Sequence, residues 1–156
     1  MKFFSLLVLL ISSTLIYSQN GKLTIHGRVE NKGNPIPDVV IEVYKDNELM
    51  IDSETHNNGA FKLDLVLGSV YNIDFSKDGY INKAIGVIAR SDSAMVLSGR
   101  FFYQIDIELF RADQDEVDET MLPPVAKLYM VDPQSGFHYD KRYVRWVSGE
   151  YEDVKE

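Results

Sequence analysis

Cysteine is absent from the 156 residues of this chain. Without thiols the protein forms no disulfide, has no thiolate ligand for a metal and no cysteine nucleophile. A bacterial lipoprotein anchor is excluded for the same reason, because that anchor is attached to a cysteine. The fold must therefore be stabilised by packing. A domain of about 140 residues buries roughly two-thirds of its unfolded surface, so packing alone is sufficient.

Basic residues are scarce relative to acidic ones. The chain has 16 lysines and arginines against 24 aspartates and glutamates, which gives a net charge of −8. A surface of this sign repels phosphate backbones and anionic lipids. We therefore expect no nucleic-acid partner and no docking on an anionic membrane, and we interpret the charge as a contribution to solubility.

The chain also lacks a long hydrophobic run. Its apolar stretch, Phe3 to Ile16, is interrupted by Ser12, Ser13 and Thr14 and also contains Ser5, and it is shorter than the roughly 20 apolar residues of a membrane span. Lys2 precedes this stretch, and polar sequence begins at Ser18 and Gln19. This order is typical of a secretory signal peptide. We predict a signal peptide over residues 1–18, an exported protein that is periplasmic or extracellular, and no stable membrane span after cleavage.

Alternation of apolar and polar residues is the main pattern between Lys22 and Phe110. This period of two predicts half-buried strands. The alternating apolar sets are Leu23, Ile25, Gly27 and Val29; Val39, Ile41 and Val43; Phe61, Leu63, Leu65 and Leu67; Tyr71, Ile73 and Phe75; Ile85, Val87 and Ala89; and Tyr103, Ile105, Ile107 and Leu109. Turn-forming residues separate the sets, and residues 91–100 form a less regular loop between sheets. The pattern predicts an all-β antiparallel sandwich or barrel.

The composition changes after Arg111. Residues 113–119 are mostly acidic, and Pro123-Pro124 follows, so residues 112–124 are predicted to be a linker. Val125 to Val131 is a predicted strand. Residues 125–156 are too few for a second core. We expect this aromatic C-terminal extension to pack on or beside the sandwich of residues 19–111, to add an edge strand, or to await a partner.

Motif residues between Gly27 and Tyr80 resemble those of a known family. They are Gly27-Arg28-Val29, Gly33 with Pro35 to Ile41, Thr55, Gly59-Ala60-Phe61, Gly68, Tyr71 and Gly79-Tyr80. In order and spacing they resemble the carboxypeptidase-regulatory-like domain, which is common in exported proteins of Bacteroidetes-type bacteria. The resemblance implies a seven-stranded antiparallel β-sandwich, prealbumin/transthyretin-like and of Greek-key type, with a short C-terminal extension. These residues shape turns and fill the core, so they imply a fold and no activity.

Residues that could perform chemistry are few and dispersed. His26, His56 and His138 lack the close spacing of a zinc site, so they are predicted to be surface residues. The serines at residues 91–98 have no histidine nearby in sequence to act as a base. The acidic run 113–119 lacks the glycine and glutamate of a calcium-binding helix–loop–helix, so a solvated linker is the preferred interpretation over weak calcium binding. We predict a non-enzyme with no cofactor and no metal.

Aromatic and basic residues are concentrated in the C-terminal extension, which contains the single tryptophan. These are residue types enriched at binding hot spots. The candidate contact residues are Phe137, Tyr139, Arg142, Tyr143, Arg145 and Trp146. The competing interpretation is that the extension merely covers an open sheet edge. We predict a non-catalytic exported module that mediates protein–protein or structural interactions with an envelope protein. The alternative is a glycan-binding or small-ligand-binding protein that uses the same aromatic residues.

Overall fold

The computed structural model describes residues 21–112 and 124–153, with side chains up to residue 147 in the last helix. Two sequence-based predictions fall on other residues. The signal peptide, residues 1–18, lies outside the described residues. The linker, residues 112–124, lies outside them except for its two end residues.

Strands dominate the described residues, which form 11 strands and two helices. In chain order these are β1 Lys22–Asn31, β2 Asn34–Pro35, β3 Val40–Lys45, β4 Glu48–Glu54, β5 Ala60–Val66, β6 Val70–Ser76, β7 Lys83–Ile88, α1 Ala94–Leu97, β8 Arg100–Gln104, β9 Ile107–Glu108, β10 Ala126–Asp132, β11 Gly136–Tyr139 and α2 Lys141–Asp153. The all-β prediction is confirmed. The strand predicted at Val125 to Val131 is β10, displaced by one residue.

The strands form two mixed sheets. In the first sheet β1 lies between β5 and β8 and also pairs with β2 and β9. The second sheet has the order β11-β10-β7-β6-β3-β4. Three pairs are parallel: β1 with β8, β1 with β9, and β7 with β10. The remaining pairs are antiparallel.

The prediction of seven antiparallel strands is matched only in part, because the described residues form 11 strands and three of the nine strand pairs are parallel. Parallel neighbours cannot be joined by a hairpin and need a long connection. Between the parallel neighbours β7 and β10, the chain crosses from the second sheet to the first and back again. It leaves the second sheet after β7, passes through α1 and enters the first sheet at β8. It returns to the second sheet at β10, which therefore runs parallel to β7. The predicted crossing of residues 91–100 between the sheets is confirmed.

One hydrophobic core joins the two sheets. Phe61 of β5 and Phe75 of β6 meet edge to face across it, with ring centroids 5.3 Å apart at 65°. Leu23, Ile41 and Ile73 are almost completely buried. Each such side chain contributes about 1.5–3 kcal/mol through burial. This packing is consistent with a β-sandwich.

The C-terminal segments extend the second sheet. Strand β10 pairs with β7, β11 pairs with β10, and α2 packs against β10. Val147 of α2 is 3% exposed, and Val144 packs against the core. Strand β4 forms the opposite edge of the same sheet. Neither helix within the described part of the chain has the length and apolarity needed to cross a membrane.

Candidate interaction site

A capping aspartate fixes the start of α2. The carboxylate of Asp140 accepts hydrogen bonds from the backbone N–H groups of Arg142, at 2.9 Å, and Tyr143, at 3.1 Å. These bonds, that from Tyr143 first, lower the pKa of Asp140. The N–H of Asp140 donates to the carbonyl of Lys127 at 2.9 Å, which ties the helix start to β10. An N-cap carboxylate that satisfies free N–H groups stabilises the first turn.

Tyr143 attaches the first turn of α2 to the beginning of β10. Its hydroxyl donates a hydrogen bond to the carbonyl of Pro124 at 2.7 Å. The ammonium of Lys127 lies 4.1 Å from the centroid of its ring, within the range of a cation–π interaction. Burial raises the pKa of Tyr143. Tyr143 is therefore mainly an anchor of the helix.

Phe137 is an interior residue, and this corrects its prediction as a contact residue. It is 6% exposed, and its ring meets that of Phe101 edge to face at 5.8 Å. On β11 it pairs with Met130, which packs against the core. Its side chain thus belongs to the core between the sheets.

Four exposed side chains of α2 form a basic and aromatic surface, which we call the α2 surface: Lys141, Arg142, Arg145 and Trp146. Trp146 is 55% exposed, and its ring lies 5.6 Å from that of Tyr143 at a tilt of 44°. The Nε of Arg145 donates to the carbonyl of Lys141 at 3.3 Å. Tyr139, 43% exposed, lies at the end of β11 just before the helix.

The structure thus brings Arg142, Tyr143, Arg145 and Trp146 together on one helix, with Tyr139 beside it. Sequence reasoning missed Lys141. The signal that identifies it is helical spacing, because residues four positions apart share a face. That spacing could be used only if the segment was known to be helical.

Two shallow grooves border the α2 surface. One, of about 340 Å³, lies between the exposed outer side of β10 and the helix start, with Tyr129, Val131 and Arg142 in its lining. The other, of about 390 Å³, is lined by Tyr139, Val144 and Arg145 among others. Both grooves are open to solvent. Apolar floors with basic rims suit contact with a protein surface or an extended segment.

The three histidines are exposed, as predicted. His138 places its Nε2 3.1 Å from the carbonyl oxygen of Ser135. Within residues 21–112 and 124–153, no three His, Asp or Glu side chains are arranged to hold a metal ion. In the serine-containing loop, the hydroxyl of Ser98 donates to the carbonyl of Ala94 at 3.0 Å. Ser98 is the C-cap residue of α1, and its hydroxyl bonds to a carbonyl of that helix.

A cluster of carboxylates on the second sheet was not predicted. Glu42 on β3 lies directly opposite Asp52 on β4 and Asp74 on β6. Glu54 follows on the same face of β4. We call these four residues the acidic face: Glu42, Asp52, Glu54 and Asp74. The sequence places them in three different strands, so only the register of the folded sheet reveals the cluster.

Within the acidic face, the surroundings of Asp74 are unfavourable for its charge. Burial, followed by the charge of Glu42, raises the pKa of Asp74. The amide of Asn72 opposes this shift by donating to Asp74 at 2.5 Å. The hydroxyl of Tyr44 donates to Glu42 at 3.2 Å. No cation of the described residues forms an ion pair with the acidic face.

Comparisons with known proteins give a partial structural likeness. No protein-family model and no curated protein sequence matches the chain. The resemblance to the carboxypeptidase-regulatory-like family therefore stays a prediction, whereas the all-β architecture of two packed sheets is observed directly.

Several solved structures align with part of this chain. A 3-chlorocatechol 1,2-dioxygenase from Rhodococcus opacus is 14% identical, with a TM-score of 0.43 over 58% of this chain and 60% of that one. The Bacillus anthracis TIE protein is 14% identical, with a TM-score of 0.47 over 59% of this chain and 18% of that one. A DUF3823 family protein from Parabacteroides merdae is 17% identical, with a TM-score of 0.39 over 59% and 47%. This chain thus spans less than two-thirds of each, and such similarity transfers no function.

Proposed function

We propose that the protein is a non-catalytic, exported β-sandwich module of carboxypeptidase-regulatory-like type. It contacts another protein of the cell envelope through the α2 surface. The observation that supports this proposal is the clustering of three exposed cations and an exposed tryptophan on one helix of a chain whose net charge is −8. Exposed Trp and Arg are the side chains that most often dominate binding energy at protein interfaces.

Charge separation supports the choice of a protein partner. Against an overall negative chain, a local positive surface attracts a complementary acidic surface and orients the encounter. A tryptophan beside the cations supplies the apolar area that a stable contact requires. A surface that only covered the sheet edge would bury Trp146, whereas 55% of it is exposed.

The helix is held rigidly enough to act as a binding element. Asp140 caps it, Tyr143 ties it to Pro124, and Val147 anchors its far side in the interior. Sites on anchored elements lose less conformational entropy on binding than sites on free segments. The α2 surface is therefore organised before a partner arrives.

A charge reversal tests the proposal. The mature protein carrying Arg142→Glu and Arg145→Glu is compared with wild type as bait for solubilised envelope proteins. The matched control is Arg28→Glu with Lys62→Glu, which makes the same change in net charge at exposed residues of the first sheet. We expect wild type and the control to retain one protein that the α2 variant loses at least about tenfold, since charged interface residues often contribute 2 kcal/mol or more.

Trp146 provides a direct second measurement, because it is the only tryptophan. The purified partner should shift its fluorescence emission in wild type and in the control. Identical partners for all three proteins would refute the α2 surface as the contact. An emission shift caused by cell-wall glycan fragments, with no protein retained, would favour the glycan-binding alternative.

A further inference from the structure

We propose that the α2 surface of one copy docks on the acidic face of a second copy. This inference rests on the proposed function, because it names a partner for the same helix. The two surfaces lie on one chain at opposite ends of the second sheet, and each presents what the other lacks. One offers exposed cations with a tryptophan, and the other offers carboxylates with exposed apolar side chains.

The acidic face belongs to an uncovered end of the sheet. Among the described residues, β4 has one strand neighbour, β3, so its outer edge is unpaired. Leu49 and Met50 of β4 are 53% and 43% exposed. An open edge beside exposed apolar side chains is a surface on which another protein can dock.

The carboxylates of this face cost stability in the isolated chain. Like charges directly opposite one another on neighbouring strands repel, and Glu42 faces Asp52 on one side and Asp74 on the other. Asp74 experiences both burial and the charge of Glu42. Cations from another molecule would reduce this repulsion. The free energy of binding would therefore be more favourable than for the same contacts on an uncharged sheet.

Among the described residues, no ion pair joins the α2 surface to the acidic face of the same chain. From β10 there are two strand spacings to β6, which carries Asp74, three to β3 and four to β4, or about 10, 14 and 19 Å at the usual separation of paired strands. The helix is tied to the β10 edge by Tyr143 and Val147. A helix held beside β10 does not reach Asp52 and Glu54 on β4, so its contact with these two carboxylates requires a second molecule.

The contact has a defined chemical arrangement. The cations of α2 face the carboxylates, and Trp146 lies against the exposed side chains of Leu49 and Met50. Because two different surfaces meet, the contact is heterologous and each copy keeps one surface of each kind free. The overall negative charge of both copies opposes their approach. Association is therefore weak, concentration-dependent and sensitive to salt.

Trans-complementation tests the inference with the whole mature chain. One variant carries Asp52→Lys and Glu54→Lys on the acidic face, and the other carries Arg142→Glu and Arg145→Glu on the α2 surface; all four side chains are exposed. Circular dichroism first verifies that each variant is folded. Sedimentation equilibrium at low salt then measures self-association.

We expect wild type to self-associate and each variant alone to lose at least about tenfold in its association constant. An equimolar mixture of the two variants should recover association, because it contains one unaltered interface and one with both charges reversed. The acidic-face variant has a less negative net charge, so general repulsion between its copies is reduced. A loss of its self-association would therefore have to come from the altered interface. The control Arg28→Glu with Lys62→Glu should associate like wild type, apart from a small effect of its added negative charge.

Monomeric wild type at every concentration, or variants that associate as wild type does, would overturn the inference. So would a mixture that stays monomeric. If wild type is monomeric while the α2 variant still loses an envelope protein, the proposed function stands and only the second copy is wrong as partner. Self-association without any such envelope protein would leave the α2 surface dedicated to copies of this chain.

Discussion

The hydroxyl of Thr55, the residue after β4, is bonded to the loop between β2 and β3. It accepts a hydrogen bond from the N–H of Val39 at 3.0 Å and donates one to the carbonyl of Ile36 at 2.9 Å. Thr55 is 3% exposed. One buried side chain therefore satisfies two backbone groups in the loop between β2 and β3. Thr55 belongs to the motif that prompted the family resemblance, and its role here is structural.

Thr55→Val should destabilise the protein by about 1–3 kcal/mol, because it leaves a buried N–H and a buried carbonyl without partners. Valine has nearly the same shape, so packing changes little. Thermal unfolding followed by circular dichroism measures the effect. Thr55→Ser is the matched control, since it keeps the hydroxyl and removes one methyl group at a cost of about 0.8 kcal/mol. A valine variant as stable as the serine variant would contradict this role.

At the scale of elements, Gly27 allows β1 to run close to the chain between β8 and β9. A Cβ at this position would lie 1.7 Å from the carbonyl oxygen of Ile105. That atom belongs to the backbone, so the conflict cannot be relieved by rotating a side chain. The close approach lets Ile105 donate its N–H to the carbonyl of His26 at 3.1 Å.

Gly27→Ala should therefore cost about 3 kcal/mol, at the upper end of the range for overpacking. Gly86→Ala is the control within a strand, because its Cβ would meet the Cγ of Lys127 at 3.5 Å and the carbonyl oxygen of Ala126 at 3.9 Å, both at ordinary van der Waals distance. That substitution should be neutral or stabilise by about 0.4–1 kcal/mol through the unfolded state. Denaturant unfolding compares the two variants. Equal stabilities would show that β1 and the Ile105 segment are free to separate.

Two elements, β4 and α2, show why the sequence patterns did not predict every strand and helix. The alternation of apolar and polar residues identified β1, β3, β5, β6 and β7, because one face of each strand is more buried and the other is closer to solvent. Strand β4 was missed because a bulge interrupts its alternation: Ile51 pairs with Val43 and Leu49 pairs with Tyr44, which leaves Met50 between them. An extra residue shifts the period, so the strand resembles a short apolar run.

Helix α2 was missed for a different reason. Its first turns contain Tyr143, Val144, Trp146 and Val147, and such aromatic and β-branched residues have low helix propensity. The helix forms because the two valines bury against the core and Asp140 caps its start. Residue types alone identified most of the α2 surface, but tertiary packing decided that they share a helix.

At the scale of the whole molecule, carboxylates on the two sheets lie in different electrostatic environments. On the first sheet, Asp64 accepts a hydrogen bond from the hydroxyl of Thr24 at 2.6 Å and pairs with the ammonium of Lys22 at 2.9 Å. These partners, the hydroxyl first, lower the pKa of Asp64 from 3.8. On the second sheet, burial first and Glu42 next raise the pKa of Asp74 from 3.8. This asymmetry arises from strand register, which composition does not reveal.

The two aspartates should respond to pH with opposite signs. The ionised form of Asp64 stabilises the fold above the unfolded pKa, and this contribution is lost as the pH falls through the lower folded pKa. Asp74 is the reverse, because its raised folded pKa makes the fold lose stability as the pH rises above the unfolded pKa, and this loss is complete above the folded pKa. At pH 7, Asp64→Asn should therefore lower the melting temperature, whereas Asp74→Asn should leave it unchanged or raise it by a few degrees.

The difference for Asp74→Asn should shrink as the pH falls from the raised folded pKa toward 3.8, and the difference for Asp64→Asn should shrink as the pH falls below 3.8, the ordinary value for both carboxyls. Melting curves of wild type and the two variants between pH 7 and pH 3 measure them, and each substitution is the other's control because both remove one negative charge. A destabilising Asp74→Asn at pH 7 would mean that the hydrogen bond from Asn72 outweighs burial and the charge of Glu42. The acidic face would then be stable by itself, and the repulsion that favours docking of a second copy would be absent.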